Sequence, residues 1–282
     1  MNSVVVTGVS SGIGWATLKV LTNKGFHVFG SVRKPEDAQR LSNEFGDAFT
    51  PLLFDVTDEA AVSKAADKVR DLINCHNLCG LVNNSGIGIP GPLMHQKITD
   101  YRTVIEVNLI GPLIVTQAFL PLLGTDSSLE EKPGRIINIS SVAGKMAFPF
   151  AGGYSASKFG LEGFSESLRR ELMLYGIDVI VVAPGAVVTA IWDKAQAIDI
   201  SEYENTDYRA AMEMFKSNLI EQGRKGYPPE RVGEVIYKAL TVSNPRVRYP
   251  VVPNHLFNWT IPRILPKRML DQIIAKRIGF RI

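Results

Sequence analysis

The amino-acid sequence predicts an α/β fold: a single doubly wound parallel sheet with helices on both faces. Three observations carry the prediction. Short runs rich in β-branched and apolar residues recur at positions 4–7, 28–32, 51–55, 80–83, 135–140 and 178–183. These runs are nearly continuous in apolar residues instead of alternating, as in strands buried on both faces. Longer amphipathic stretches separate them, and repeated strand–helix units joined by right-handed crossovers wind into such a sheet.

The helical stretches fall at 13–24, 37–45, 59–74, 100–123 and 155–174. In the first, Ile13, Ala16, Thr17, Val20 and Leu21 share one helical face. Residues 124–134 read as a polar loop projecting into solvent. After Pro184 the pattern changes. Residues 186–228 look helical but irregular, 247–252 read as a last strand, and a basic amphipathic tail follows from about Asn258. No linker divides the chain, so 1–282 reads as one domain: a core over 1–185, a substrate lid over 186–228 and a C-terminal substrate-side segment over 229–282.

Composition narrows the class. Of 282 residues, 45% are hydrophobic and 21% charged, enough to bury a real core. The net charge of +3 comes without a basic stripe interleaved with aromatics, which argues against nucleic acid as a partner. Cys75 and Cys79 have no second pair of ligands at metal spacing, so no metal is expected. Such sparse cysteine fits a reducing compartment, and the expected location is the cytoplasm. The first strand-like run begins at Ser3, leaving little room for a targeting segment, and no uninterrupted apolar stretch reads as long enough to span a bilayer.

After the first strand comes Thr7-Gly8-Val9-Ser10-Ser11-Gly12-Ile13-Gly14. Glycines there allow a tight turn and close approach to a pyrophosphate, while the following helix offers its N–H groups and positive dipole end. The position, between a first strand and a first helix, suits a dinucleotide. Sites for NAD usually carry an acid at the end of the second strand to hold the ribose 2′-hydroxyl. Here Val32 takes that place and Arg33 follows, a guanidinium suited to the 2′-phosphate of NADP. NADP(H) is therefore the expected cofactor, with NAD(H) as second choice.

Tyr154 and Lys158 are four apart, on one face of a predicted helix. A free phenol is a poor base near neutral pH, and a neighbouring ammonium is expected to lower its pKa. Tyr154 would then exchange a proton with a carbonyl or alcohol oxygen as hydride moves. Just upstream, a strand ends in Ser140-Ser141, at the edge where ligands bind, and either hydroxyl suits the developing oxyanion.

Together and in this order, residues 7–14, Asp55-Val56, Asn83-Asn84-Ser85-Gly86, Asn108, Ser141, Tyr154, Lys158 and Pro184-Gly185 with Thr189 resemble the short-chain dehydrogenase/reductase family with a Tyr-x-x-x-Lys motif. The likeness covers residues 3–189. It implies a Rossmann-type sheet, a catalytic set of Asn108, Ser141, Tyr154 and Lys158, and a choice of Ser141 over Ser140 by its spacing to Tyr154. The dinucleotide would be held by Gly8, Ser10, Ser11, Gly12, Ile13, Gly14 and Arg33, with Asp55 and Val56 flanking the adenine. Asn83, Ser85 and Gly86 would support the sheet beside it. Asn108 would hold a water linking Lys158 to a proton relay, and Lys158 would also bind the nicotinamide ribose. Pro184, Gly185, Val187 and Thr189 would contact the carboxamide side. Ser85 departs from the family's usual Ala, a small exchange of little expected consequence.

The substrate reading is coarser. Met146, Phe148 and Phe150 lie between Ser141 and Tyr154, and Ile191 and Trp192 begin the lid. With Ser141 and Tyr154 they make an apolar pocket for a lipophilic carbonyl or secondary alcohol, and the C-terminal third resembles the hydroxysteroid and retinol dehydrogenase branch. A non-catalytic NADP-binding sensor or scaffold on the same fold is the rival reading. Leu113, Phe119, Phe164 and Leu168 are candidates for a surface left over on the two long helices, and the resemblance implies a homodimer or homotetramer through them. The tail, with Leu256, Phe257, Trp259, Ile261, Ile264 and Leu265 beside Lys267, Arg268, Lys276, Arg277 and Arg281, either packs over the cleft or makes peripheral membrane contact.

Overall fold

Alternate residues of a strand face opposite sides of its sheet, and β1 (Ser3–Val6) shows what that requires here. Val4 and Val6 lie in one buried cluster with Leu18, Leu21, Val232 and Ile236. Val5 lies in a second, with Val62, Val69, Val115 and Phe119. A strand so placed must be apolar at every position, which is why the strands read as continuous runs.

The computed structural model describes residues 2–74, 76–129, 132–189 and 200–280. Six further strands, β2 (His27–Val32), β3 (Phe49–Leu53), β4 (Gly80–Asn83), β5 (Arg135–Ile139), β6 (Asp178–Pro184) and β7 (Arg248–Val251), complete a sheet in the order β3-β2-β1-β4-β5-β6-β7. Every neighbouring pair is parallel. One face carries α1 (Gly12–Asn23), α2 (Pro35–Phe45) and α8 (Pro229–Thr241); the other carries α3 (Glu59–Ile73), α4 (Ile98–Ile105), α5 (Gly111–Phe119) and α6 (Gly152–Glu171). The strand order reverses between β1 and β4, so the crevice beyond their carboxyl ends is where a ligand binds.

The helix predicted over 100–123 is real but broken. A π-helical turn, Glu106–Ile110, interrupts it between α4 and α5. Pro112 explains the break: it has no N–H and its ring crowds the carbonyl four residues back, that of Asn108. The run Ile98–Leu123 qualifies as a candidate span by length and composition alone, although Asp100, Arg102 and Glu106 interrupt its apolar residues. It lies against the sheet, where Val104, Val115 and Phe119 are fully buried. Phe119 is thus a core residue and not part of a surface left over.

The loop after Gly124 is held down. Arg70 of α3 pairs with Asp126 at 2.8 Å, and Leu129 packs against the core. The 186–228 segment contains α7 (Arg209–Arg224). Its two ends are pinned together, with Tyr227 N–H donating to Ala186 at 3.0 Å and Val188 N–H to Tyr227 at 2.9 Å. The chain closes with α9 (Ile261–Ile264) and α10 (Lys267–Arg277).

Candidate active site

The loop between β1 and α1 is folded as its glycines require. Gly8 and Gly12 have φ of 69° and 61°, left-handed values that side chains disfavour. Gly14 marks a close approach: a Cβ there would stand 2.1 Å from the Gly8 carbonyl oxygen. Ser11 caps α1 without spending its side chain on the helix, and no acid lies in the first turn. The N–H groups of Gly12, Ile13 and Gly14 are left for an anion. Residues outside the loop hold it in place. Gly8 N–H donates to the Ser31 hydroxyl at 2.9 Å. The Asn84 amide donates to the carbonyls of Thr7 and Gly8 at 2.8 and 3.2 Å, and Thr7 Oγ1 accepts from the N–H groups of Asn84 and Ser85 at 2.9 Å each. The Ser85 hydroxyl lies against Gly8.

Two arginines stand beside this loop. Arg33, 72% exposed at the end of β2, makes one long contact of 3.5 Å to Asp55. Asp55 accepts from the Thr57 N–H and hydroxyl at 3.1 and 2.9 Å. Partial burial pushes this carboxyl up, but those bonds and the Arg33 charge outweigh it and hold the pKa below its usual value. Arg40 of α2 donates to the Ser10 carbonyl at 2.8 Å and to Asp37 at 2.9 Å. Nothing local in the sequence singles out Arg40, since Asp37, Arg40 and Glu44 stand at ordinary helical spacing.

The other wall is β5 and α6. Neighbouring strand-end residues face opposite ways, and this separates the two serines. The Ser140 hydroxyl is buried toward Gly144 with no hydrogen-bond partner. Ser141 Oγ accepts from Ala143 N–H at 3.1 Å and bonds to Tyr154. The two hydroxyls therefore stand together at the crevice, where an oxygen placed between them can replace their mutual bond. Desolvation pushes the Tyr154 hydroxyl up, and the Ser141 bond pulls it back only in part. Burial dominates, and the net direction is opposite to the one the sequence leads one to expect.

Lys158 is 4% exposed. Its Nζ donates to the Ile139 carbonyl at 2.9 Å and lies 5.7 Å from the Tyr154 ring centre. Burial depresses its pKa to about 8. Asn108, on the π turn, pairs with both backbone groups of Ile87 at 2.8 Å and donates to Ser157 at 3.0 Å. Gly86 sits where a Cβ would be 3.3 Å from the Asn108 oxygen and 3.5 Å from Lys158 Nζ. The π turn thus turns Asn108 toward the lysine. Asn83 has a supporting place: its buried amide donates to Thr116 of α5 at 3.1 Å and to Asn138 of β5 at 2.9 Å. Val56 likewise lies in the core.

An ion pair fixes α6 beside the sheet edge. Arg248 of β7 donates to buried Glu162 at 2.6 Å, and Lys145 approaches the same carboxylate at 3.7 Å. Burial, and then the charges of Arg248 and Arg263, push the Lys145 pKa down.

The carboxyl end of β6 completes the crevice. Pro184 ends the strand, Gly185 bonds to Val251, and Val187 is buried beside Tyr227. Thr189 reaches the glycine loop, 3.5 Å from where a Gly12 Cβ would be. A cavity of about 220 Å³ adjoins the start of α6, lined by Leu93, Met94, Phe148, Phe150, Tyr208 and Phe280 among others. Met146 is half-buried in the loop before it, and Trp192 lies outside the described residues. Among the described residues no group of His, Cys, Asp and Glu is placed to hold a metal.

A glycine loop at the switch point, facing a serine, a tyrosine and a buried lysine, defines a dinucleotide-dependent dehydrogenase or reductase. The comparisons agree. The short chain dehydrogenase family model matches residues 2–199. An NADPH-dependent 3-dehydrocapnine reductase of Ornithobacterium rhinotracheale is 39% identical over 98% of this chain and 97% of its own. Retinol dehydrogenase 5 of Homo sapiens is 34% identical over 96% and 87%. A short-chain dehydrogenase from Streptomyces avermitilis superposes with a TM-score of 0.75 at 26% identity, over 98% of this chain and 94% of that one. The chain belongs to the short-chain dehydrogenase/reductase family and is an oxidoreductase.

Proposed function

We propose that the enzyme reduces a lipophilic ketone or aldehyde to the alcohol, with NADPH as hydride donor. The observation that carries this reading is the arrangement of Tyr154 beside Ser141 at the end of β5, with buried Lys158 one helical turn away. When bound, the nicotinamide supplies the hydride. Tyr154 delivers its proton to the carbonyl oxygen, and Ser141 donates a hydrogen bond to the same oxygen as charge develops there. The Lys158 ammonium stabilises the phenolate left behind until solvent returns the proton. Asn108 acts through Lys158 and the Ile87 backbone.

The cofactor preference rests on Val32 in place of an acid, on Arg33 and Arg40 beside the loop, and on the NADPH dependence named for the 39% identical relative. The lipophilic substrate rests on the aromatic cavity by α6 and on the names of the relatives, a retinol dehydrogenase and a 3-dehydrocapnine reductase. We read residues 186–228 as the substrate lid of a single domain. The exposed Phe159, with Leu113 and Phe164 half-buried, supports a homodimer or homotetramer through the long helices.

Consumption of NADPH with a homologous series of straight-chain ketones tests the reading. The expected kcat/KM rises roughly threefold to fourfold per methylene until the cavity is full, and Tyr154→Phe abolishes turnover while NADPH still binds. A flat chain-length profile removes the lipophilic substrate. Retained activity in Tyr154→Phe removes the mechanism.

A further inference from the structure

A globular surface usually scatters its exposed apolar side chains singly. The helical segment after β7 does not. Leu256 is 56% exposed, Phe257 67% and Ile264 74%, within nine residues. Trp259 alone anchors this stretch inside, with Arg263 stacked over its ring at 4.6 Å. Phe257 lies on a π turn (Leu256–Thr260), Ile264 ends the α-helical turn that follows it, and Met269 comes next, exposed, in α10.

The charge beside this face is one-sided. Residues 253–282 hold Arg263, Lys267, Arg268, Lys276, Arg277 and Arg281 against the single acid Asp271, a net of +5. The whole chain is +3, so the other residues sum to −2. A basic, apolar tail is thus carried on a slightly acidic body. Arg263, Lys267, Arg268, Lys276 and Arg277 are all exposed. The segment also reaches the cleft. Val252, just before it, and Val142 both lie against Gly185, and beyond α10 the ring of Phe280 lines the cavity with Phe148, Phe150 and Tyr208.

We propose that residues 254–277 form a docking surface for an anionic lipid bilayer. Phe257, Leu256 and Ile264 enter the headgroup boundary while Lys267, Arg268 and their neighbours pair with lipid phosphates. The enzyme lies on the membrane without crossing it, with the cleft close to that surface. Net positive charge selects an anionic bilayer over a zwitterionic one, and the apolar face distinguishes a bilayer from a soluble polyanion.

Flotation of the full chain with vesicles tests the proposal. Binding is expected to equimolar phosphatidylglycerol and phosphatidylcholine, with little to phosphatidylcholine alone, and with release by high salt. Each cation near such a surface is worth roughly fivefold in partitioning. The pair Lys267→Gln with Arg268→Gln should therefore lower binding by about tenfold or more, and Phe257→Ser with Ile264→Ser should abolish it. Turnover of a water-soluble ketone should be unchanged in both, showing that the variants fold. No flotation at low salt overturns the proposal, as does equal binding to both vesicle types or indifference to both variants. If Phe257→Ser with Ile264→Ser instead lowers the mass seen by light scattering, and no vesicle binding occurs, the face joins copies of this chain and the membrane is excluded.

Discussion

Lys158→Met should separate what the lysine does for chemistry from what it does to the fold. The ammonium is buried, and its pKa falls from 10.5 to about 8 because burial disfavours the charge. At about 1.4 kcal/mol per unit, that drop corresponds to roughly 3 kcal/mol of folding free energy withheld whenever the lysine is charged. The sign follows from the direction. With a depressed folded pKa, the penalty is fully present below pH 8 and is relieved as pH rises toward 10.5. Methionine keeps the length and removes the charge. It also leaves the Ile139 carbonyl without the donor now at 2.9 Å, a loss of roughly 1–2 kcal/mol. At pH 7 the cofactor-free variant should be more stable than the parent by about 1–2 kcal/mol, and at pH 10 less stable by up to a similar amount. Urea unfolding at the two pH values measures both differences, and activity should be lost throughout. A stability difference that does not change with pH would refute the argument, because it would mean that the buried amine is not the charged group in the folded protein.

The remaining predictions concern other parts of the site. Arg33→Ala and Arg40→Ala should each weaken NADPH binding about tenfold or more while NADH changes little, as loss of a charge-assisted bond to phosphate implies; fluorescence titration with both cofactors reads this, and equal losses for both cofactors would end the assignment. Ser141→Ala should lower kcat by about a hundredfold, the scale of a lost oxyanion donor, whereas Ser140→Ala should be mild; steady-state kinetics rank the two, and the reverse order would move the donor by one residue. Gly14→Ala forces a methyl into the Gly8 carbonyl and should cost about 1–3 kcal/mol of stability together with dinucleotide binding. Gly163→Ala, which meets nothing within 4 Å, should instead stabilise α6 by about 0.5–1 kcal/mol, both changes being read by thermal unfolding.

The strands were legible because burial on both sheet faces leaves no polar position to confuse the pattern, and six predicted runs match β1–β6 to within two residues at each end. The glycine loop and the Tyr154–Lys158 pair were legible because each depends on local spacing. Three features were not. The π turn at Asn108 comes from a clash between Pro112 and a carbonyl four residues earlier, whereas an apolar helical period continues across it. Arg40 meets Ser10 across thirty residues of chain, a contact that helical spacing cannot announce. The raised pKa of Tyr154 depends on how much protein crowds the hydroxyl, which no local motif encodes.

The site divides into a part that is locked and a part that is not, and the two divide the functions. The proposed catalytic groups are wired into the core. Asn83, Asn138 and Ser165 link β4, β5 and α6 by hydrogen bonds of 2.9 Å. Lys158 grips Ile139, and Glu162 clamps α6 to Arg248. Breaking such a buried network costs several kcal/mol, so the positions of Tyr154 and Ser141 are fixed by the fold itself. The proposed substrate side is built differently. Phe150, Tyr203, Ala211, Met212 and Ile278 form a separate small cluster, with Tyr208, Phe215 and Phe280 around it. None of these residues belongs to either of the clusters that flank the sheet. Repacking this cluster alters the cavity lined by Phe150, Tyr208 and Phe280 without loading the sheet. Substitutions at Phe215 or Met212 should therefore change which carbonyl is accepted while leaving the proton donor where it is. The proposed choice of substrate is thus carried by a cluster packed apart from those that flank the sheet.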